Sequence, residues 1–122
     1  MLIQNLCDIF KDTIKINKQN KNGDTVIMLT KQDNVNVEVL QFLCDTFQNK
    51  IDINQQNIYG YTALMLAAYN NTNVEIIQYL YDTFKDSIDI NIQDNNGNTA
   101  LMHAVRCNEN VKVTQYLCDT FK

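Results

Sequence analysis

The side chains able to do chemistry in this 122-residue chain are few: one histidine, four cysteines and 14 carboxylates. His103 and Cys107 lie four residues apart, so a helix would bring them side by side. A thiol next to an imidazole can serve as a base-activated nucleophile. The sequence names no third group to orient the imidazole and no oxyanion site. The cysteines, Cys7, Cys44, Cys107 and Cys118, contain no Cys-x-x-Cys pair of the kind that holds zinc. No glycine-rich loop is available to cradle a phosphate. What these groups can do depends on the elements that carry them.

Those elements repeat. Asn22-Gly23-Asp24-Thr25, Tyr59-Gly60-Tyr61-Thr62 and Asn96-Gly97-Asn98-Thr99 are versions of one phrase, with the threonines 37 residues apart. A second phrase, Leu-Cys/Tyr-Asp-x-Phe, begins at Leu6, Leu43, Leu80 and Leu117 with the same spacing. Two independent markers on one period define a tandem array. The glycines stand where a tight turn wants a positive φ. The threonine that follows offers a hydroxyl to cap a helix start. Ala63–Tyr69 then reads as a short helix. Asn71-Thr72-Asn73, matched at 34–36 and 108–110, reads as the end of that helix and the N-cap of a second one. Glu38 and Glu75 fall in the first turn of the second helix, where the helix dipole favours a negative charge. Val74, Ile77, Leu80, Tyr81 and Phe84 form its apolar stripe. Ile88–Asn91 alternates like an extended return.

The expected fold class is therefore all-α, a solenoid of stacked helix–turn–helix repeats with short hairpin-like turns. Helices are expected near 63–69, 74–85, 100–106 and 111–121. One domain spans 1–122. A lone second helix of a partial repeat occupies 1–17, and successive repeats occupy 18–54, 55–91 and 92–122. Arrays end on polar capping units, and neither end here is strongly polar, so the chain reads as a segment of a longer array.

The period also assigns the reactive groups. Cys7, Cys44 and Cys118 share one repeat position with Tyr81. Equivalent positions on stacked helices lie about 8–10 Å apart, beyond the roughly 7 Å that a disulfide can bridge. They are expected to be reduced and buried as small hydrophobes. Leu29 and Leu66 match His103, while Asp33 and Asn70 match Cys107, so both are read as variable surface positions. Asp8, Asp45, Asp82 and Asp119 recur as scaffold carboxylates. Met28, Met65 and Met102 recur as a core column. Neither an enzyme activity nor a metal, cofactor or small-molecule substrate is expected.

This order of elements resembles the ankyrin repeat. The family phrase Gly-x-Thr-Pro-Leu-His-x-Ala is similar to Gly60-Tyr61-Thr62-Ala63-Leu64-Met65-Leu66-Ala67 and to Gly97-Asn98-Thr99-Ala100-Leu101-Met102-His103-Ala104. It recurs more loosely from Gly23 to Thr30. The Val-Val-x-x-Leu helix resembles Ile76-Ile77-Gln78-Tyr79-Leu80, and the Asp-Val-Asn ending resembles Asp89-Ile90-Asn91. Four residues per unit are extra relative to the family: one in the Asn-x-Asn turn and three where the second helix ends. That helix also lacks its terminal glycine and is expected to run about one turn longer. The family's histidine, which ties neighbouring units by hydrogen bonds, is Met28, Met65 and Met102 here, so cohesion is expected to rest more on apolar packing.

The resemblance implies a protein partner held by turn tips and the inner face of the first helices. Carried onto this chain, those positions include Lys21, Asn22, Asp24, Gln32 and Asp33 in the first unit. The second unit contributes Ile58, Tyr59, Tyr61, Tyr69 and Asn70, and the third Asn95, Asn96, Asn98, Arg106 and Cys107. The middle unit stands out, with three tyrosines and an isoleucine where its neighbours are polar. Tyrosine buries a large area with few rotors and suits interface centres. The chain is thus expected to be a protein-binding adaptor or scaffold segment. The alternative is a structural spacer whose solenoid meets partners elsewhere. A net charge of −4 speaks against nucleic acid. The absence of a long apolar run or leader speaks against a membrane, so an intracellular, cytoplasmic location is expected.

Overall fold

The computed structural model describes residues 10, 12–31, 37–70, 74–107 and 111–121, with Lys31, Gln48, Asn70 and Cys107 described by backbone alone. Five α-helices are found among them: α1 (Val37–Phe47), α2 (Ala63–Asn70), α3 (Val74–Phe84), α4 (Ala100–Cys107) and α5 (Val111–Phe121). No strand occurs among the described residues. The Asn-x-Asn boundaries at 34–36, 71–73 and 108–110 lie outside the described residues. So does the segment 1–9, where the spacing puts most of a lone second helix.

Each short first helix starts on its threonine. The backbone N–H of Met65 donates to Thr62 Oγ1 at 3.2 Å, and that of Met102 to Thr99 Oγ1 at 3.4 Å. These bonds satisfy donors that a helix start leaves without intrahelical acceptors. The first unit makes the same bond, Met28 N–H to Thr25 Oγ1 at 3.4 Å, but continues only as a 3-10 turn, Met28–Lys31. Its sequence explains the shortfall. Val26 and Thr30 stand where α2 has Ala63 and Ala67, and β-branched residues are poorer helix formers than alanine. Thr30 also turns its hydroxyl back onto the Ile27 carbonyl at 2.6 Å, a local bond that competes with the helix ladder.

The longer helices carry Glu38 and Glu75 in their first turns. In α3, Ile76, Ile77, Leu80 and Phe84 are buried, and Val74 and Tyr81 are half-buried. The added residues at the end of the second helix do not lengthen it. α3 stops at Phe84, whose carbonyl accepts N–H bonds from Ser87 and Ile88 at 2.8 and 2.7 Å. After α1 the same stretch is a 3-10 turn, Gln48–Lys50. The extra length is spent on a turn because the carbonyls at the helix end are satisfied by its residues. Ile88 and Ile90 then pack against the core while Asp89 and Asn91 face solvent.

The helices stack in two rows. α2 packs against α4, and α3 lies between α1 and α5. Ala67, Ala68 and Ala104 are almost wholly buried, their small side chains suiting close helix approach. One apolar cluster runs through the stack, from Ile27 and Leu40 to Val113 and Leu117. Two expectations about it are corrected. Met28 and Met65 are core residues, but Met102 is 45% exposed against 1% for Met65. Met102 lies in α4, and among the described residues no further first helix packs on the side of α4 away from α2. Cys118, expected to be buried, is exposed for the same reason on α5, whereas Cys44 is fully buried.

Burial pushes the Cys44 thiol up to about 12, with Asp45 adding to the shift and a hydrogen bond with Tyr79 opposing it. Thiolate is the reactive form. A maleimide added to the native protein is therefore expected to label Cys118 within minutes and to reach Cys44 only after denaturant is added. Peptide mapping by mass spectrometry reads the two sites, and rapid native labelling of Cys44 would contradict the packing of α1.

Candidate functional site

Three successive turns, 20–24, 57–61 and 94–98, share one construction. An Asx side chain opens each and accepts two backbone N–H groups: Asn20 Oδ1 from Asn22 and Asp24 at 2.9 and 3.0 Å, Asn57 Oδ1 from Tyr59 and Tyr61 at 2.9 and 3.0 Å, and Asp94 Oδ1 from Asn96 and Asn98 at 2.9 Å each. A glycine closes each at φ between 79° and 84°, the left-handed region where a side chain is strained. Rigid tips result, and they are joined. The Ile58 N–H donates to the Asn22 carbonyl and the Asn95 N–H to the Tyr59 carbonyl, both at 3.1 Å. Asn57 Nδ2 donates to Asp24 Oδ1 at 3.0 Å, and Asn95 Nδ2 to the Ile58 carbonyl at 2.8 Å.

Side-chain amides extend this cohesion beneath the tips. Gln19 Nε2 donates to the Gly23 carbonyl of its own turn and to the Gln56 carbonyl of the next unit, both at 2.8 Å. Gln56 repeats the pattern with Gly60 and Gln93, at 2.8 and 3.1 Å. Asn17 and Asn54 each bridge onward in both senses. Their amides donate to the Lys50 and Ser87 carbonyls, and their oxygens accept from Asp52 and Asp89. Polar bonds therefore join the units alongside the apolar packing on which cohesion was expected to rest more. The signal was present: glutamine recurs at 19, 56 and 93 on the 37-residue period, at positions with no apolar role.

His103 requires the main correction. It is not a surface residue but 5% exposed. Its Nε2 lies 2.7 Å from Asp94 Oδ2, and the carboxylate side chain is itself wholly buried. Tyr61 and Tyr69 meet the imidazole edge-on, with centroids 5.3 and 5.7 Å away. A buried polar ring is tolerable when a partner satisfies it, and Asp94 supplies that partner from the same unit's turn. Burial favours protonation of Asp94, but bonds from the Asn98 N–H, His103 and the Asn96 N–H outweigh it and hold its pKa below the ordinary 3.8. A carboxylate depressed in the folded state stabilises the fold above its unfolded pKa, and loses that contribution as pH falls through the folded one. The stability difference between wild type and Asp94→Asn is accordingly expected to shrink as the pH falls below 3.8, as urea titrations at several acidic pH values will report.

The tyrosines of the middle unit gather around this pair. Tyr59, at the tip, is 55% exposed and stacks 5.9 Å from Tyr61 at 37°. Tyr69, in the last turn of α2, is 42% exposed. Tyr61 is half-buried and packs against the core, so it serves the fold in part. Together with Asp24, Asn57 and Leu66 the rings line a groove of about 330 Å³. Of the other expected positions, Ile58 is exposed on the tip beside the groove, and Lys21 and Arg106 are exposed away from its lining. Asn98 is half-buried in the third turn. Asn70 and Cys107 have backbone in α2 and α4, and Gln32 and Asp33 lie outside the described residues. Larger clefts of about 550 and 520 Å³ sit beside the return segments, near Lys15 and Lys50 and near Asn49 and Ser87. Neither carries an exposed aromatic ring.

No group of three or more His, Cys, Asp or Glu arranged to hold a metal occurs among the described residues, and no described helix is long and apolar enough to cross a membrane. Curated protein sequences contain no significant match to the chain. Among solved structures, it is similar to a chain in the crystal structure of the yeast ribosomal protein Rps3 in complex with its chaperone Yar1. The TM-score is 0.76 at 19% identity, over 97% of this chain and 83% of that one. It is also similar to a chain in the structure of the Bd0816 predatory endopeptidase from Bdellovibrio bacteriovorus in complex with immunity protein Bd3460. There the TM-score is 0.62 at 28% identity, over 84% of this chain and 47% of that one, so this chain spans about half its length. The family model for ankyrin repeats in three copies matches residues 2–94 and 47–122. With that match, the 37-residue period and the stacked helix pairs in agreement, the chain belongs to the ankyrin-repeat family.

Proposed function

We propose that this chain is a non-catalytic protein-binding module that docks a partner on the turn tips and on the first helix of its middle unit. One observation carries the reading: Ile58, Tyr59 and Tyr69 expose large apolar side chains together on a surface whose backbone is already rigid. Ordering costs for such a surface are low, because its turns are pinned by Asx and inter-unit bonds before anything binds. Exposed aromatic clusters mark interaction sites more often than bare structure. Lys21, Asp24, Asn98 and Arg106 would form a polar rim that sets register more than affinity, with Tyr61 and Asn70 beside the centre. The fold match to chains in complexes of a ribosomal protein with its chaperone and of an endopeptidase with its immunity protein supports a protein, rather than a small molecule, as the ligand.

The test uses Tyr59→Ala/Tyr69→Ala, which spares the half-buried Tyr61. Capture from cell extract followed by mass spectrometry identifies proteins retained by the wild type and lost by the variant, and the purified partner is then titrated. Binding at least tenfold weaker is expected, with the helical circular dichroism unchanged and the thermal midpoint lowered only by the lost ring contacts with Tyr61 and His103; a central tyrosine commonly contributes about 2 kcal/mol or more to binding. Unaltered capture by a folded variant would leave the spacer reading as the better one.

A further inference from the structure

Resting on that docking surface, we infer that the groove bounded by Asp24, Tyr59, Tyr61 and Tyr69 receives a cationic side chain, arginine or lysine, of the partner protein. Four features of the groove point to this chemistry. Three tyrosine rings line one space of about 330 Å³, near the small end of the roughly 300–1,000 Å³ range of ligand pockets and fit for one long side chain. The face of a tyrosine ring carries a quadrupole that attracts positive charge. Asp24 adds a carboxylate to the same wall, half-buried, with Asn57 Nδ2 donating to one of its oxygens at 3.0 Å. Among the described side chains no lysine or arginine forms an ion pair with Asp24.

The alternatives fit less well. An anion would meet Asp24 and three tyrosine rings without a cation on the lining to receive it. A purely apolar side chain would strip water from the Asp24 carboxylate with only one protein hydrogen bond in exchange, which is costly for a charge. A guanidinium or ammonium instead satisfies the carboxylate and stacks its stem on the rings. The net charge of −4 favours approach of a basic segment over an acidic one. The rings are also held in place. Tyr61 and Tyr69 both rest edge-on against His103, which Asp94 fixes from beneath, so the groove does not need to assemble when the cation enters.

The experiment is a nuclear magnetic resonance titration of the whole chain with N-acetyl-arginine amide, with N-acetyl-lysine amide alongside and the neutral isostere N-acetyl-citrulline amide as control. Saturable shifts confined to Asp24, Asn57, Tyr59, Tyr61 and Tyr69 are expected with the cationic probes, and affinity for citrulline should be at least fivefold weaker. Asp24→Asn should lower arginine affinity at least fivefold. Tyr59→Phe should retain it while Tyr59→Leu loses it, an outcome that a merely apolar role for the ring would not produce. Equal binding of citrulline, absence of shifts at these residues, or full affinity in Asp24→Asn would each overturn the inference. A partner lost by the Tyr59/Tyr69 variant but captured normally by Asp24→Asn would retain the docking reading and discard the cation. Arginine binding in a chain whose Tyr59/Tyr69 variant still captures every partner would remove the docking reading, and with it the assignment of that cation to a protein.

Discussion

Leu80→Ala is expected to lower the unfolding free energy by about 2–5 kcal/mol, the range for truncating a buried leucine to leave a cavity. Leu80 is 2% exposed and lies on α3, the helix flanked on both sides by α1 and α5. Its loss therefore weakens two unit interfaces at once. In a solenoid each unit communicates only with its neighbours, so a central defect can separate the ends as well as destabilise the whole. Urea denaturation followed by circular dichroism should show the midpoint fall, and hydrogen exchange should show α1 and α5 losing a common opening energy. At about 2–8 °C per kcal/mol, the thermal midpoint should drop by many degrees. An unchanged midpoint would mean that α3 is not the middle of the stack.

Gly60→Ala should be nearly as damaging, and Gly97→Ala much less so, although both glycines occupy the same repeat position with φ of 83° and 84°. Placing an L-residue in that region costs about 1–2 kcal/mol in either case. The surroundings differ. A Cβ on Gly60 would come within 2.7 Å of the Asn95 nitrogen and 2.9 Å of the Asp94 Cα, backbone of the adjoining turn, whereas on Gly97 the nearest atom would be Gln93 Nε2 at 3.9 Å. Backbone cannot move aside as a side chain can, so the clash adds about 1–3 kcal/mol of overpacking to the strain. The Gly60 variant should thus lose about 2–5 kcal/mol and the Gly97 variant about 1–2 kcal/mol. Equal losses measured in parallel urea titrations would show that the turns do not abut as closely as the Ile58–Asn22 and Asn95–Tyr59 bonds require.

The local grammar of the unit was legible in the sequence because it depends on few residues close together. Gly60 needs only its own φ, Thr62 only the Met65 N–H three positions on, and the apolar stripe of α3 only the helical period. Repetition multiplied each weak signal by three. The candidate site was legible in composition, since Tyr59, Tyr61 and Tyr69 stand where the other units are polar, but not in geometry. That Tyr61 is half-buried while Tyr59 and Tyr69 are exposed follows from an imidazole that the alignment assigned to the surface. The leucines at 29 and 66 gave no reason to expect a buried histidine, because the group that makes its burial tolerable, Asp94, belongs to the turn and lies nine residues away.

The sequence by itself determined the period, the fold class, the turn positions and most helix bounds, because these are set by short-range sterics and by hydrophobic spacing. Tertiary structure alone decided how equivalent residues diverge. Met65 is core and Met102 exposed, and Cys44 is buried and Cys118 open, because burial depends on whether another helix lies across the residue and not on its identity. It also decided that Gln19, Gln56, Asn17 and Asn54 bind across units. An amide recurring every 37 residues reaches the next carbonyl only when stacking brings the two turns into register. The groove beside Asp24 arises in the same way, since its walls come from Asn22, Asp24, Asn57, Tyr59, Tyr61, Leu66 and Tyr69, joined in space by the packing of one unit on the next.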